Sequence, residues 1–138
     1  MTDTPDLGAA AREAAHAAAG TTRIETLANP NPRADYLVRI EGGLANGAIR
    51  LVLHYVPHRL ILRDRAFHTY LGTLEKEWTN GPPEPERLAL SMLADLNDEL
   101  VPRWLQIVIL AGDGHRVLVE DKQPKWDKPT LTARAGGI

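Results

Sequence analysis

The stretch from Gly47 to Leu71 constrains the fold most, because it changes period in the middle. Ile49, Leu51, Leu53 and Tyr55 fall on one parity and Arg50, Val52, His54 and Val56 on the other, the period of two of a pleated strand. Pro57 has no N–H to give a ladder and stops it. Beyond a short apolar link, Leu60 to Leu62, the residues Phe67, Tyr70, Leu71, Leu74 and Trp78 recur at helical spacing behind Asp64, the expected N-cap. A strand hands over to a helix here, so the chain has to pack helix against sheet.

The flanks repeat both periods. Asp35 to Glu41 alternates, and Gly42 to Gly47 supplies the glycines and the Asn-Gly pair of a hairpin connection. Thr79-Asn80-Gly81-Pro82-Pro83 is a stop and a turn. Glu84 to Val101 then reads as a second helix, with Leu88, Met92, Leu96 and Leu100 in one apolar row widened by Ala89 and Leu93. Trp104 to Leu110 and Val117 to Val119, separated by Ala111-Gly112-Asp113-Gly114, form a second hairpin. Ahead of these, Leu7 to Ala19 has helix propensity but only alanine to bury, and Thr21 to Ala28 suits a short edge strand before Asn29-Pro30-Asn31-Pro32.

The expected fold class is α+β, in the order ββααββ: one four-stranded antiparallel sheet with two helices on one face. The other face would need a partner. Residues 1–20 form an extension, 21–121 a single domain, and 122–138 a Lys-, Pro- and Gly-rich tail expected to be loose, with Trp126 its one large apolar anchor.

Composition excludes more than it assigns. Sixteen Lys and Arg against eighteen Asp and Glu give no general pull toward nucleic acid, and no apolar run reaches bilayer length, so neither nucleic acid nor membrane is an expected partner. The acidic first residues do not suit a secretory signal, which makes cytoplasmic location the expectation. The absence of Cys removes disulfides, thiolate metal sites and thiol nucleophiles. His54 and His58 are four apart but Pro57 separates them, so no metal site is expected. Ser91, the only serine, sits in a helical stretch with nothing to fix it near a histidine.

Tyr55-Val56-Pro57 followed by Arg63-Asp64-Arg65-Ala66-Phe67-His68-Thr69-Tyr70-Leu71 resembles the strand end and helix start of the 7-cyano-7-deazaguanine reductase (QueF) family, where Tyr-Ile-Pro precedes Glu-Ser-Lys-Ser-Leu-Lys-Leu-Tyr-Leu. Glu25-Thr26-Leu27-Ala28-Asn29-Pro30 is similar to that family's Glu-Thr-Phe-x-Asn-Pro, and Ala94-Asp95-Leu96 to its Asn-Asp-Leu. The resemblance runs from Ile24 to Val119 and implies the tunnelling fold (T-fold), in which such sheets join side by side into an oligomeric barrel with sites between subunits. It also places Glu86 on the glutamate of the family's Phe-His-Glu, which anchors a purine- or pterin-like ring. A carboxylate suits that task because its two acceptors match adjacent ring N–H and NH2 donors. Without the resemblance, Glu86 reads as an acid stabilising a helix N-terminus.

Departures from the family pattern limit the chemistry. The Ser-Leu-Cys-Pro loop, whose cysteine adds to the nitrile, is missing between Ile40 and Gly47, and no cysteine exists elsewhere to replace it. Covalent catalysis through a thioimide is closed to this chain. The family histidine aligns with Pro85, and Asp113-Gly114-His115-Arg116 lies where the family carries Pro-Arg-Gly-Gly, a loop near its nucleotide site, though the residues here most simply read as a polar hairpin turn. In the NADPH-associated motif Glu-Ser becomes Arg63-Asp64 and the two lysines become Arg65 and His68. Arg63, Arg65 and His68 are therefore either a phosphate-holding remnant or a solvated first helical turn, and NADPH enters only through the resemblance.

Three functional expectations follow: a homo-oligomer that binds a purine- or pterin-like ligand but does not reduce nitriles, an enzyme of cysteine-independent chemistry on such a substrate, or a purely structural subunit. Incubation with 7-cyano-7-deazaguanine and NADPH is expected to give no amine by mass spectrometry; its appearance would overturn the exclusion.

Overall fold

The alternation in the central stretch produces a strand buried under the helices on one face and covered toward its end, at His54 and Val56, on the other. In the computed structural model, which describes residues 24–138, the elements are β1 (Thr26–Ala28), β2 (Val38–Leu44), β3 (Ile49–Val56), β4 (Leu60–Leu62), helices α1 (Ala66–Lys76) and α2 (Pro85–Leu100), β5 (Trp104–Ala111), β6 (Arg116–Lys122) and a short helix α3 (Pro129–Thr132). The helix expected over residues 7–19 lies outside the described residues. Strands β2-β3-β5-β6 form one antiparallel sheet in chain order, while β1 and β4 pair as a separate two-stranded ribbon.

Register decides which side chains meet. Leu51 lies opposite Ile109, Leu53 opposite Ile107 and Tyr55 opposite Leu105, so the odd residues of β3 and β5 make one apolar face. Onto it pack Phe67, Tyr70 and Leu71 of α1 and Leu88, Ala89, Met92, Leu96 and Leu100 of α2, the apolar row read from the sequence. Each fully buried large apolar side chain contributes on the order of 1.5–3 kcal/mol, so this layer is the main source of stability. The α+β class and the four-stranded antiparallel sheet are as expected. Among the described residues, no helix is long and apolar enough to cross a membrane.

Four local features differ from the sequence expectation. Leu60 to Leu62 is a strand rather than a link, because its backbone pairs with Thr26 to Ala28 and the Tyr55 phenol oxygen accepts the Leu62 N–H at 3.0 Å. Gly42 and Gly43 belong to β2, opposite Leu51 and Arg50; the turn is confined to Ala45–Gly47, with φ positive at all three residues. Asp64 does not cap α1. The Ala66 N–H instead closes a turn on the Arg63 carbonyl, and Arg65 takes the left-handed conformation, φ 67°, with no side-chain cap.

The fourth difference is the C-terminal segment, which is held rather than loose. Ala135 packs with Val56 and Trp104 on the sheet face opposite the helices, beside Leu37, Trp126 and Leu131. Asp35 gathers this segment in: its carboxylate accepts the Trp126 indole N–H at 3.3 Å and pairs with Lys128 at 3.1 Å and Arg103 at 3.6 Å. Burial pushes the Asp35 pKa up, but Lys128, Trp126 and Arg103 outweigh it and hold the carboxyl below its ordinary value. Arg103 also donates to the Pro57 carbonyl at 2.9 Å and the Pro32 carbonyl at 2.6 Å. The Asn29 amide donates to the His58 carbonyl at 2.7 Å while its oxygen accepts the Tyr36 hydroxyl at 2.6 Å. The prolines at 30, 32 and 57 thus sit in loops whose carbonyls and neighbours are bonded by side chains.

At Gly42 the side chains of α1 come close to the sheet: a Cβ there would lie 2.5 Å from Leu71 Cδ1 and 3.2 Å from the Phe67 ring. Gly42→Val is expected to destabilise by about 1–3 kcal/mol through overpacking, read as a lower midpoint in urea at unchanged slope.

Candidate functional site

Glu86 stands in the first turn of α2, where Glu84 is the N-cap and Pro85 fills the first helical position, which needs no N–H. The β5–β6 turn reaches back to it. His115 Nε2 lies 2.9 Å from Glu86 Oε2, an ion pair while the imidazole is protonated and a hydrogen bond when Nε2 carries the proton of the neutral ring. The turn that presents His115 is itself ordered by the Asp113 carboxylate, which accepts the His115 N–H at 3.0 Å. The Glu86 carboxyl is held below its ordinary value, first by its own backbone N–H and then by the hydrogen bond from His115. Beside it, Glu84, Arg87, Leu90 and Ser91 line an open groove of about 700 Å³. Leu90 is 58% exposed, so the groove offers an apolar surface next to an acceptor pair. Arg87 is turned aside by Glu84, which it meets at 3.1 Å.

Arg63, Arg65 and His68 come together elsewhere. With Asp64, Ile40, Leu62 and Phe67 they line a depression of about 510 Å³ at the start of α1. Two of the three are partly engaged: Arg63 lies 3.7 Å from Glu25, and His68 Nε2 donates to the Glu41 carbonyl at 3.0 Å, since a carbonyl only accepts. The depression keeps two guanidinium groups beside one carboxylate and does not include Glu86. The structure therefore separates the residues that sequence reasoning singled out into two places on the surface.

His54 and His58 diverge as Pro57 implies. His54 is buried on the sheet face opposite the helices, whereas His58 Nδ1 faces the Gln123 amide at 3.1 Å. Among the described residues, no three His, Cys, Asp or Glu side chains come close enough to hold a metal ion. Tyr70 is also spoken for: its hydroxyl donates to Asp95 at 2.5 Å, and burial together with that carboxylate drives its pKa far up, which makes it a structural contact between the two helices. Sequence reasoning missed His115 as a site residue. The available signals were its place in a hairpin turn and the resemblance of that turn's position to the family's Pro-Arg-Gly-Gly loop, but pairing it with Glu86 required knowing that this turn comes back over the start of α2.

The fold and this geometry define an antiparallel α+β domain carrying an exposed carboxylate–imidazole pair at the junction of a helix start and a hairpin turn. A scan against protein-family models and a search of the curated proteins found no match to the chain.

The pair has a measurable signature. Because the folded-state pKa of Glu86 is depressed, its contribution to stability is full above the ordinary value of 4.5 and is lost as pH falls through the folded value. In a carboxyl carbon NMR titration, His115→Ala is expected to move the Glu86 midpoint up toward 4.5 without reaching it, because the backbone N–H remains. An unchanged midpoint would show that the imidazole contributes nothing.

Proposed function

We propose that this protein is a divergent tunnelling-fold protein, similar to 7-cyano-7-deazaguanine reductases but without nitrile reduction, which assembles through its sheet edges and binds a purine- or pterin-like ring at Glu86. The observation that carries the reading is the exposed Glu86 carboxylate beside Leu90: two acceptors for adjacent ring donors, next to an apolar surface for the ring. Assembly is supported by the sheet itself, since β2 and β6 are each paired on one side only in the described residues. In such a barrel the groove, open in a single chain, would be closed by a neighbouring subunit. The phosphate-holding role of Arg63, Arg65 and His68 is supported only by their shared depression at a helix start, and NADPH has no further support.

A second reading has its own observation. His115 and Glu86 are close enough to pass a proton between them, so the same site suits cysteine-independent acid–base chemistry on the bound ring. The two readings separate cleanly: His115→Ala would abolish turnover in the second while sparing binding in the first.

The test is calorimetric titration of 7-cyano-7-deazaguanine, guanine and pterin, with light scattering for mass. Glu86→Ala is expected to weaken the best ligand by roughly 10- to 100-fold, since charge-assisted hydrogen bonds are worth about 1.5–3 kcal/mol. Binding indifferent to that change would remove Glu86 from the site, and a monomer at all concentrations would remove the barrel.

A further inference from the structure

The sheet face opposite the helices holds a second candidate site, which does not depend on Glu86. Between that face and the C-terminal segment runs a groove of about 560 Å³, a volume typical of small-molecule sites. Its walls divide by chemistry. Val52, Val108, Leu110 and Leu118 from the sheet and Ala133 and Ile138 from the C-terminal segment are apolar, while Arg39 and Arg116 bring guanidinium groups.

His54 is the group that needs explaining. It lies in register between Arg39 on β2 and Gln106 on β5 and is only 4% exposed, and neither ring nitrogen has a hydrogen-bond partner among the described residues. An unpaired buried polar group costs about 1–3 kcal/mol, and native structures rarely leave one without water or a ligand. Gln106 and the Ala135 backbone are near enough to affect its pKa but do not meet hydrogen-bond geometry. Burial and then the Arg39 charge hold the imidazole below its ordinary value, so it is the neutral ring, one donor and one acceptor, that lies there.

The charge balance selects the ligand. Among the described residues, no acidic side chain lines the groove. The acids on this face are engaged: Glu41 pairs with Arg39, and Glu120 lies 3.5 Å from the Gln106 amide. Arg116 has no ion pair among the described residues and sits at the groove beside Leu118. We propose that this groove binds a small amphiphilic carboxylate, its head on Arg116 and its apolar body along Leu118, Val108 and Val52 toward His54, whose ring bonds a water held at the far end. The guanidinium fork supplies two N–H donors for the two carboxylate oxygens, and the sheet wall supplies the apolar area.

Octanoate is the probe, with octylamine and octanol as charge controls, followed by NMR of the Val52, Val108 and Leu118 methyl groups and of the His54 ring nitrogens. Octanoate at millimolar concentration is expected to shift both sets, and octylamine to shift neither. Arg116→Ala should weaken octanoate by about tenfold, the loss of one charge-assisted contact. Gly136 borders the groove, and a Cβ added there would meet nothing within 4 Å, so Gly136→Leu should block binding by filling space without lowering the melting temperature. If octanoate shifts none of these methyl groups, or if the amine and the alcohol act equally well, the proposal is overturned. Because Glu86 lies on the helix side, loss of ring binding at Glu86 would leave this result untouched, and the reverse also holds.

Discussion

The pairing of β3 with β5 is the constraint on which everything else rests. Eight consecutive residues of β3, Ile49 to Val56, find partners from Ala111 back to Trp104, and that single register assigns every odd residue to the helices and every even one to the opposite face. A shift by one position would send Leu51, Leu53 and Tyr55 to the wrong side and bring Arg50 and His54 beneath α1 and α2. The helices, the outer strands and the C-terminal segment then take the places this register leaves open.

Period and punctuation made most of this legible in the sequence. The change from period two to helical spacing across Pro57 located β3 and α1, and the Leu88–Leu100 row located the buried face of α2, because these signals are local. What remained hidden depended on distant partners. Three residues, Leu60 to Leu62, become a strand only because β1 lies alongside, and Gly42 is extended by its pairing with Leu51 while its missing Cβ leaves room for Leu71 of α1. The C-terminal segment looked loose because its anchors are a tryptophan and a lysine meeting Asp35, almost a hundred positions earlier in the chain, a pairing that no window of sequence can contain.

The candidate sites follow the same rule. Glu86 stood out through a resemblance to a motif, and Arg63, Arg65 and His68 through their clustering in sequence; both signals survive folding as places on a surface. His115 and Arg116 were adjacent in one turn and read as solvated. Folding sends the first toward α2 and the second to the opposite sheet face, because successive residues at the start of a strand point to opposite sides. A single hairpin thereby contributes to two chemically unlike surfaces.

Asp35 also has a dynamic meaning. One carboxylate receives Trp126 and Lys128 as well as Arg103, so the last residues are attached by this polar point and the apolar contact around Ala135 rather than by a strand ladder. Segments held this way open as separate cooperative units at a free energy below that of global unfolding. The expected hierarchy is one in which amide protons of the C-terminal turns exchange first, as the lid over His54 lifts, while the two hairpins remain closed.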